Sequence, residues 1–265
     1  SSSGASRRAR APDMTDVAAL DRAFAPLTPL DRLKALRAAI SGRIVFTTSF
    51  GVEDQLITDL IFANGIDIEV VTLDTGRLFP ETYKVWSDTE MKYGKRIRAF
   101  YPETAAVEAL IADQGIDGFY FGVDMRKACC GVRKVEPLKR ALAGASAWVT
   151  GLRADQSANR ATTAFVAFDD GFSVLKASPL ADVSREAIVA ETEARAIPVN
   201  ALHARGFPSI GCAPCTRAIQ PGEDERAGRW WWEQDDKKEC GLHVSADGVI
   251  TPPASAPGGD RPWAS

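Results

Sequence analysis

Apolar and polar positions along this chain switch repeatedly between a period near 3.6 residues and short β-branched runs. Leu30, Leu33, Leu36 and Ile40 recur at helical spacing. Ahead of them Thr28 is a good N-cap, Pro29 occupies the first helical position and Asp31 places an acid in the first turn. Gly42 is expected to end that helix. Residues 43–49 then read as a buried strand, and helical spacing returns over 53–64 through Leu56, Leu60 and Ile61, with Gly65 as the stop. A second strand over 67–74 and a helix over 79–93 follow, and 95–101 with 104–114 repeat the alternation. Further on, the pattern predicts a helix over 132–143 and a strand over 147–150. A hairpin is predicted around Asp169-Asp170-Gly171, and then a helix capped by Ser184 with Glu186 in its first turn.

Strands and helices taking turns at this spacing imply parallel strands joined by crossover helices, hence an α/β fold with a doubly wound, mostly parallel sheet. Ligands of such sheets sit beyond the carboxyl ends of the strands. That rule selects three loops: Ser49-Phe50-Gly51-Val52-Glu53-Asp54, Asp74-Thr75-Gly76-Arg77, and Gly151-Leu152-Arg153-Ala154-Asp155-Gln156-Ser157. In the first, Gly51 lies at a strand-to-helix turn, where backbone N–H groups are expected to approach an oxyanion. The bland reading is that Glu53 and Asp54 simply complement the helix dipole. Three such loops on one edge suit a nucleotide-sized anionic ligand.

Composition narrows the field. The chain has 265 residues, 45% of them hydrophobic, with a net charge of −3 and a pI near 5.6. No overall basic field draws it to nucleic acid or an acidic membrane, and no apolar run has the length of a membrane span. Residues 1–13 carry Ser6, Arg7, Arg8 and Arg10 without an apolar core, so they do not read as a secretory signal and are expected to be disordered. Residues 14–220 form the expected α/β domain, 221–250 a C-terminal segment, and 251–265 a Pro- and Gly-rich tail also expected to be disordered. The segment includes Trp230-Trp231-Trp232, which cannot all enter one core; packing over the sheet edge or at a subunit interface is expected ahead of nucleic-acid stacking.

Five cysteines carry the candidate chemistry. Four form tight pairs, Cys129-Cys130 and Cys212-Ala213-Pro214-Cys215, and on a chain without an export signal they point to metal or redox chemistry in a reducing compartment, the cytoplasm. The second pair suits zinc or an iron–sulfur cluster; adjacent cysteines are less usual for zinc and crowd two sulfurs onto one short segment, which a larger cluster accepts more easily. Lys134, four residues beyond Cys130, is one helical turn from whatever the cysteines bind. Cys240 stands apart, preceded by Lys237 and Lys238, which favour its thiolate and make it a candidate nucleophile.

Taken together, Cys129-Cys130-Gly131-Val132-Arg133-Lys134, Cys212-Ala213-Pro214-Cys215 and Glu239-Cys240-Gly241-Leu242-His243 resemble the assimilatory adenylyl-sulfate (APS) reductases, the iron–sulfur branch of the APS/PAPS reductase family. Residues 49–54, 73–83, Thr150-Gly151 with Asp155-Gln156-Ser157, and 226–233 match as well, so the resemblance spans about 43–243. It implies an adenine-nucleotide α-hydrolase-like sheet with a C-terminal catalytic segment. It also implies a [4Fe-4S] cluster on Cys129, Cys130, Cys212 and Cys215, with Cys240 as nucleophile. The implied substrate is adenosine 5'-phosphosulfate, the partner reduced thioredoxin, and the state a homo-oligomer. By the same resemblance Lys134, Arg226 and Arg229 would neutralise the phosphosulfate, His243 and Arg160 would join them, and Ser49, Phe50, Gly51, Asp74, Thr75, Gly76, Arg77, Leu78 and Gly151 would line the nucleotide. PAPS, the 3'-phosphorylated relative, is the nearest alternative substrate. An ATP-activating enzyme of the same fold is a further one, though residues 49–54 depart from its Ser-Gly-Gly-x-Asp-Ser loop; a zinc-stabilised binding module is the third.

Overall fold

The computed structural model describes residues 14–156 and 160–233. Cys240 and His243, both disordered-terminus expectations and most of the C-terminal segment therefore lie outside the described residues.

Alternation within the strands dictates the layers. Ile44 and Phe46 of β1 (Arg43–Thr48) pack into one core with Val70, Ala147, Val149 and Leu175, while Val45 between them packs into the other with Val71, Trp148 and Val174. Both faces are covered, as a parallel sheet requires. On the first face lie α2 (Pro29–Ala39), α3 (Val52–Ala63) and α8 (Arg185–Ala194), contributing Leu33, Ile57 and Ile188. On the second, α7 (Glu136–Leu142) contributes Leu138 and Leu142.

The strand order is β3-β2-β1-β4-β6-β5, with β2 at Glu69–Leu73, β3 at Arg98–Phe100, β4 at Ala145–Val149, β5 at Val166–Asp169 and β6 at Val174–Ala177. Pairings are parallel except β5 with β6, the expected hairpin. The order reverses between β1 and β4, so the crevice beyond their carboxyl ends is the topological switch point. Thr28 and Ser184 cap their helices as expected, accepting from the N–H groups of Asp31 and Ala187.

Two local expectations change. Helix α2 ends at Ala39, before Gly42, which serves a different purpose: a Cβ there would overlap the Ser146 side chain, so the glycine lets β1 approach β4. The helix expected over 132–143 begins earlier, as α6 (Val123–Cys130), and carries the cysteine pair in its last turn. It continues through a π-helical turn, Gly131–Val135, into α7. Pro137 accounts for the widened turn, because it has no N–H to bond Arg133 and its ring opposes a regular α-turn there.

Candidate active site

The turn after β1 is tightly self-bonded. Phe50 adopts φ +61°, an uncommon conformation for a non-glycine residue, and its ring is buried against Trp86 at 5.5 Å. Its N–H donates to Thr48 Oγ1 at 3.1 Å, and the Ser49 N–H and hydroxyl both donate to Asp54 Oδ2 at 2.6 Å. The turn thus spends these amides on its own side chains, where the sequence suggested an oxyanion cradle. Burial raises the Asp54 carboxyl to about 6, with Ser49 opposing and Glu53 adding to the shift. Gly151, at the end of β4, abuts this carboxylate so closely that a Cβ would overlap it.

A cavity of about 200 Å³ opens at the switch point. Its floor is the strand ends, with Thr48, Thr72 and Thr150; apolar wall comes from Phe50, Leu78, Leu138, Trp148 and Ile210. Lys134, Arg160, Arg226 and Arg229 supply positive charge, and Glu53, Asp54 and Glu225 negative charge. Two of the acids are engaged by other partners. Glu53 accepts from Arg153 at 3.0 Å and Gln156 at 3.1 Å, and Glu225 accepts from both Arg153 and Arg185. Arg153 is completely buried at the centre of this ion network, which also reaches Asp155.

A second, smaller cavity adjoins the first and is lined by Cys129, Cys130, Cys212 and Cys215 with Arg77, Arg126, Arg133 and Lys134. None of the four cysteines is in a disulfide; Cys129 is half-buried and the others buried. Burial raises the Cys129 thiol, and it pushes Cys215 up to about 12 with help from Cys212. Thr75 Oγ1 lies 3.2 Å from Cys212 Sγ, and Arg133 donates to the Thr75 carbonyl at 2.7 Å. Among the described residues, no three His, Cys, Asp or Glu side chains gather closely enough to hold a single metal ion.

Of the residues singled out by sequence, Ser49, Phe50, Gly51, Thr75, Leu78, Lys134, Gly151, Arg160, Arg226 and Arg229 line the larger cavity. Asp74, Gly76 and Arg77 do not. Asp74 turns inward to accept from the Gly76 N–H and the Tyr83 hydroxyl at 2.8 and 2.9 Å, and Arg77 lies over the Phe119 ring at 5.0 Å beside the cysteines. Sequence reasoning missed the strand-end threonines, whose position at the carboxyl edge was the available signal. It also missed the wall 208–211, bounded by proline and glycine just ahead of Cys212. A Cβ at Gly211 would meet the Arg229 guanidinium, so the glycine leaves that side chain its present position.

A doubly wound sheet with a mixed polar and cationic cavity at its switch point, adjoined by a four-cysteine pocket, defines an α/β protein of the nucleotide-binding class. The family model described as "Phosphoadenosine phosphosulfate reductase domain" matches residues 43–218. The chain is 58% identical over 223 residues to the adenosine 5'-phosphosulfate reductase of Sinorhizobium fredii (strain USDA 257), covering 84% of this chain and 89% of that one. It is 54% identical over 241 residues to that of Agrobacterium fabrum, covering 91% and 92%. The chain belongs to the phosphoadenosine phosphosulfate reductase family. Among solved structures, phosphoadenylyl-sulfate reductase from Candida auris shares the fold at a TM-score of 0.69 and 21% identity, over 80% of this chain and 100% of that one. Yeast FAD synthetase shares it at 0.50 and 15%, over 78% and 70%.

Proposed function

We propose that this protein reduces adenosine 5'-phosphosulfate to sulfite and AMP, with Cys240 as nucleophile and reduced thioredoxin as electron donor. The observation that carries the reading is the placement of Lys134, which lines both the switch-point cavity and the cysteine pocket. A ligand whose reacting end meets Lys134, Arg226 and Arg229 would have its nucleoside against the strand-end threonines and the apolar wall. The Sinorhizobium fredii and Agrobacterium fabrum relatives, at 58% and 54% identity, bear the name adenosine 5'-phosphosulfate reductase.

In this reading the Cys240 thiolate attacks the sulfonate sulfur, the bond from that sulfur to the bridging oxygen breaks, and AMP leaves on its phosphate. The thiolate and the substrate are both negative, so the cations lower the barrier by neutralising the phosphosulfate. A thioredoxin thiolate then attacks the Cys240 sulfur and sulfite departs with the sulfur–sulfur electron pair; the second thioredoxin thiol resolves the mixed disulfide. Two electrons pass from the dithiol to sulfur, and no other donor is needed. A cytoplasmic setting, which keeps the paired thiols reduced, and a homo-oligomeric state belong to the same reading.

The residues fit a [4Fe-4S] cluster held by Cys129, Cys130, Cys212 and Cys215. All four line one pocket, thiolates are the donors such a cluster takes, and the surrounding cations offset the charge that the buried thiols cannot carry alone. When bound, the cluster would supply a fixed centre of charge beside Lys134. The family description and the Candida auris enzyme name the 3'-phosphorylated substrate, so PAPS is the second reading, separable by kcat/KM for the two nucleotides.

The test is mass spectrometry of anaerobically purified protein mixed with sulfur-labelled adenosine 5'-phosphosulfate and no reductant. A sulfonate on Cys240, absent in Cys240→Ser and discharged by reduced thioredoxin, is expected. No adduct from either nucleotide overturns the chemistry.

A further inference from the structure

Residues 228–233 are gripped from two sides, and both sides carry cysteines. From the second pair, the Cys215 carbonyl accepts from the Trp230 N–H at 3.1 Å, Arg217 N–H donates to the Gly228 carbonyl at 3.0 Å, and Thr216 bridges Arg229. From the first pair, the grip is one side chain. Arg126 stands one helical turn before Cys130 on α6, the spacing that puts both on one face. Its guanidinium is completely buried and donates as a fork to Glu233, Nε to Oε1 at 2.9 Å and Nη2 to Oε2 at 2.6 Å. The same guanidinium lines the cysteine pocket together with Cys130, and its Cζ lies 4.7 Å from the centroid of the Trp230 ring. Trp230 in turn has φ +44°, a conformation that persists only where the surroundings impose it.

We propose that Arg126 is a positioning residue that couples the state of the cysteine site to the anchor of the nucleophile-bearing segment; the inference rests on the cluster and nucleophile assigned above. Cys240 follows Glu233 by seven residues, a tether of at most about 25 Å if fully extended. So short a tether makes the placement of Glu233 bear on where Cys240 reaches. A cluster held by the four cysteines would place thiolate charge beside this guanidinium and would help to keep it in the orientation the fork requires. Loss of the cluster would remove that charge, and Glu233, side chain 3% exposed, would be left with a cation less firmly held in register. The root of the segment then loosens.

The experiment is hydrogen exchange of residues 228–233 in the full chain, purified anaerobically and compared before and after iron chelation, with iron and sulfide measured on each sample. The expected result is exchange about tenfold faster in the stripped wild type. Glu233→Gln, which leaves Arg126 and all four cysteines in place, should keep its iron and exchange at the fast rate in both states. Arg126→Lys, which keeps the charge and loses the fork, should behave likewise. Equal exchange in iron-loaded and stripped wild type, or a full difference retained in Glu233→Gln, would overturn the coupling while leaving the cluster assignment intact. Absence of iron and sulfide from every anaerobic preparation would overturn both.

Discussion

Ser49 donates twice to a single oxygen of Asp54, through its N–H and its hydroxyl, each at 2.6 Å. This one relationship closes the turn that links β1 to α3 and puts a buried carboxylate where the sequence suggested open amides. The arginines and lysine across the cavity therefore carry the task of meeting an anion. Phe50 takes up the left-handed backbone at this turn, and Asp54 contributes its closure.

The pH dependence follows from the sign of the Asp54 shift. Its folded value is about 6, raised chiefly by burial, against about 3.9 for an unfolded chain. The folded protein thus holds a proton through the window between these values that the unfolded chain has released. That contribution to stability is complete below about pH 4 and is lost as pH rises through 6, at a cost on the order of 2–3 kcal/mol. Asp54→Asn keeps an acceptor for Ser49 and carries no charge. Urea unfolding should find it more stable than wild type at pH 8 by that order, and little different at pH 4; equal stabilities at both pH values would refute the assignment.

Two glycines at the switch point should respond in opposite ways to alanine. A Cβ at Gly151 would overlap the Asp54 carboxylate, whereas at Gly51 the nearest atom, Ser49 Oγ, is 3.4 Å away. Gly151→Ala should lose about 1–3 kcal/mol in urea unfolding and weaken nucleotide binding. Gly51→Ala should stay within about 0.5 kcal/mol of wild type. A harmless Gly151→Ala would mean that the closure of the turn is less constrained than its geometry indicates.

What was legible in the sequence was whatever depends on neighbours along the chain. Apolar period and caps gave the order of elements, and the carboxyl-end rule picked the edge where Lys134, Arg160, Arg226 and Arg229 converge. The start of the cysteine-bearing helix was not legible, because Val123–Cys130 has few large apolar side chains and the interruption due to Pro137 comes after the cysteines. Nor was Arg153, whose partners Glu53 and Glu225 lie 100 residues before it and 72 after it in the chain. Gly42 was read as a helix stop because sequence alone cannot show that β4 passes against it.

Lys134 lies between the two cavities, and its removal should separate them functionally. Lys134→Ala should lower kcat/KM by about 10²–10³, the range for loss of a donor that meets developing charge. Iron content and thermal unfolding should stay close to wild type, since Arg77, Arg126 and Arg133 still line the cysteine pocket. Turnover at the wild-type rate would remove the observation on which the functional reading rests.

Glu225 offers the last test, because it is joined to two cations and adjoins a third in sequence. Arg153 Nη2 donates to it at 2.9 Å, Arg185 Nη1 at 2.7 Å, and the next residue, Arg226, lines the cavity. Burial raises its carboxyl, so the charge is kept in place by the arginines. Glu225→Gln leaves Arg153 with Glu53 and Asp155 and leaves Arg185 with the Pro208 carbonyl at 3.3 Å and Glu53 at 3.8 Å. A stability loss of about 1–3 kcal/mol is expected, less than for a buried ion left wholly unpaired. The sharper consequence is kinetic. With its neighbour released, Arg226 meets the anion from a wider range of positions, so KM should rise about tenfold while kcat at saturating nucleotide falls little. A fall in kcat with KM unchanged would show instead that the ion network acts on the transition state and not on the placement of Arg226.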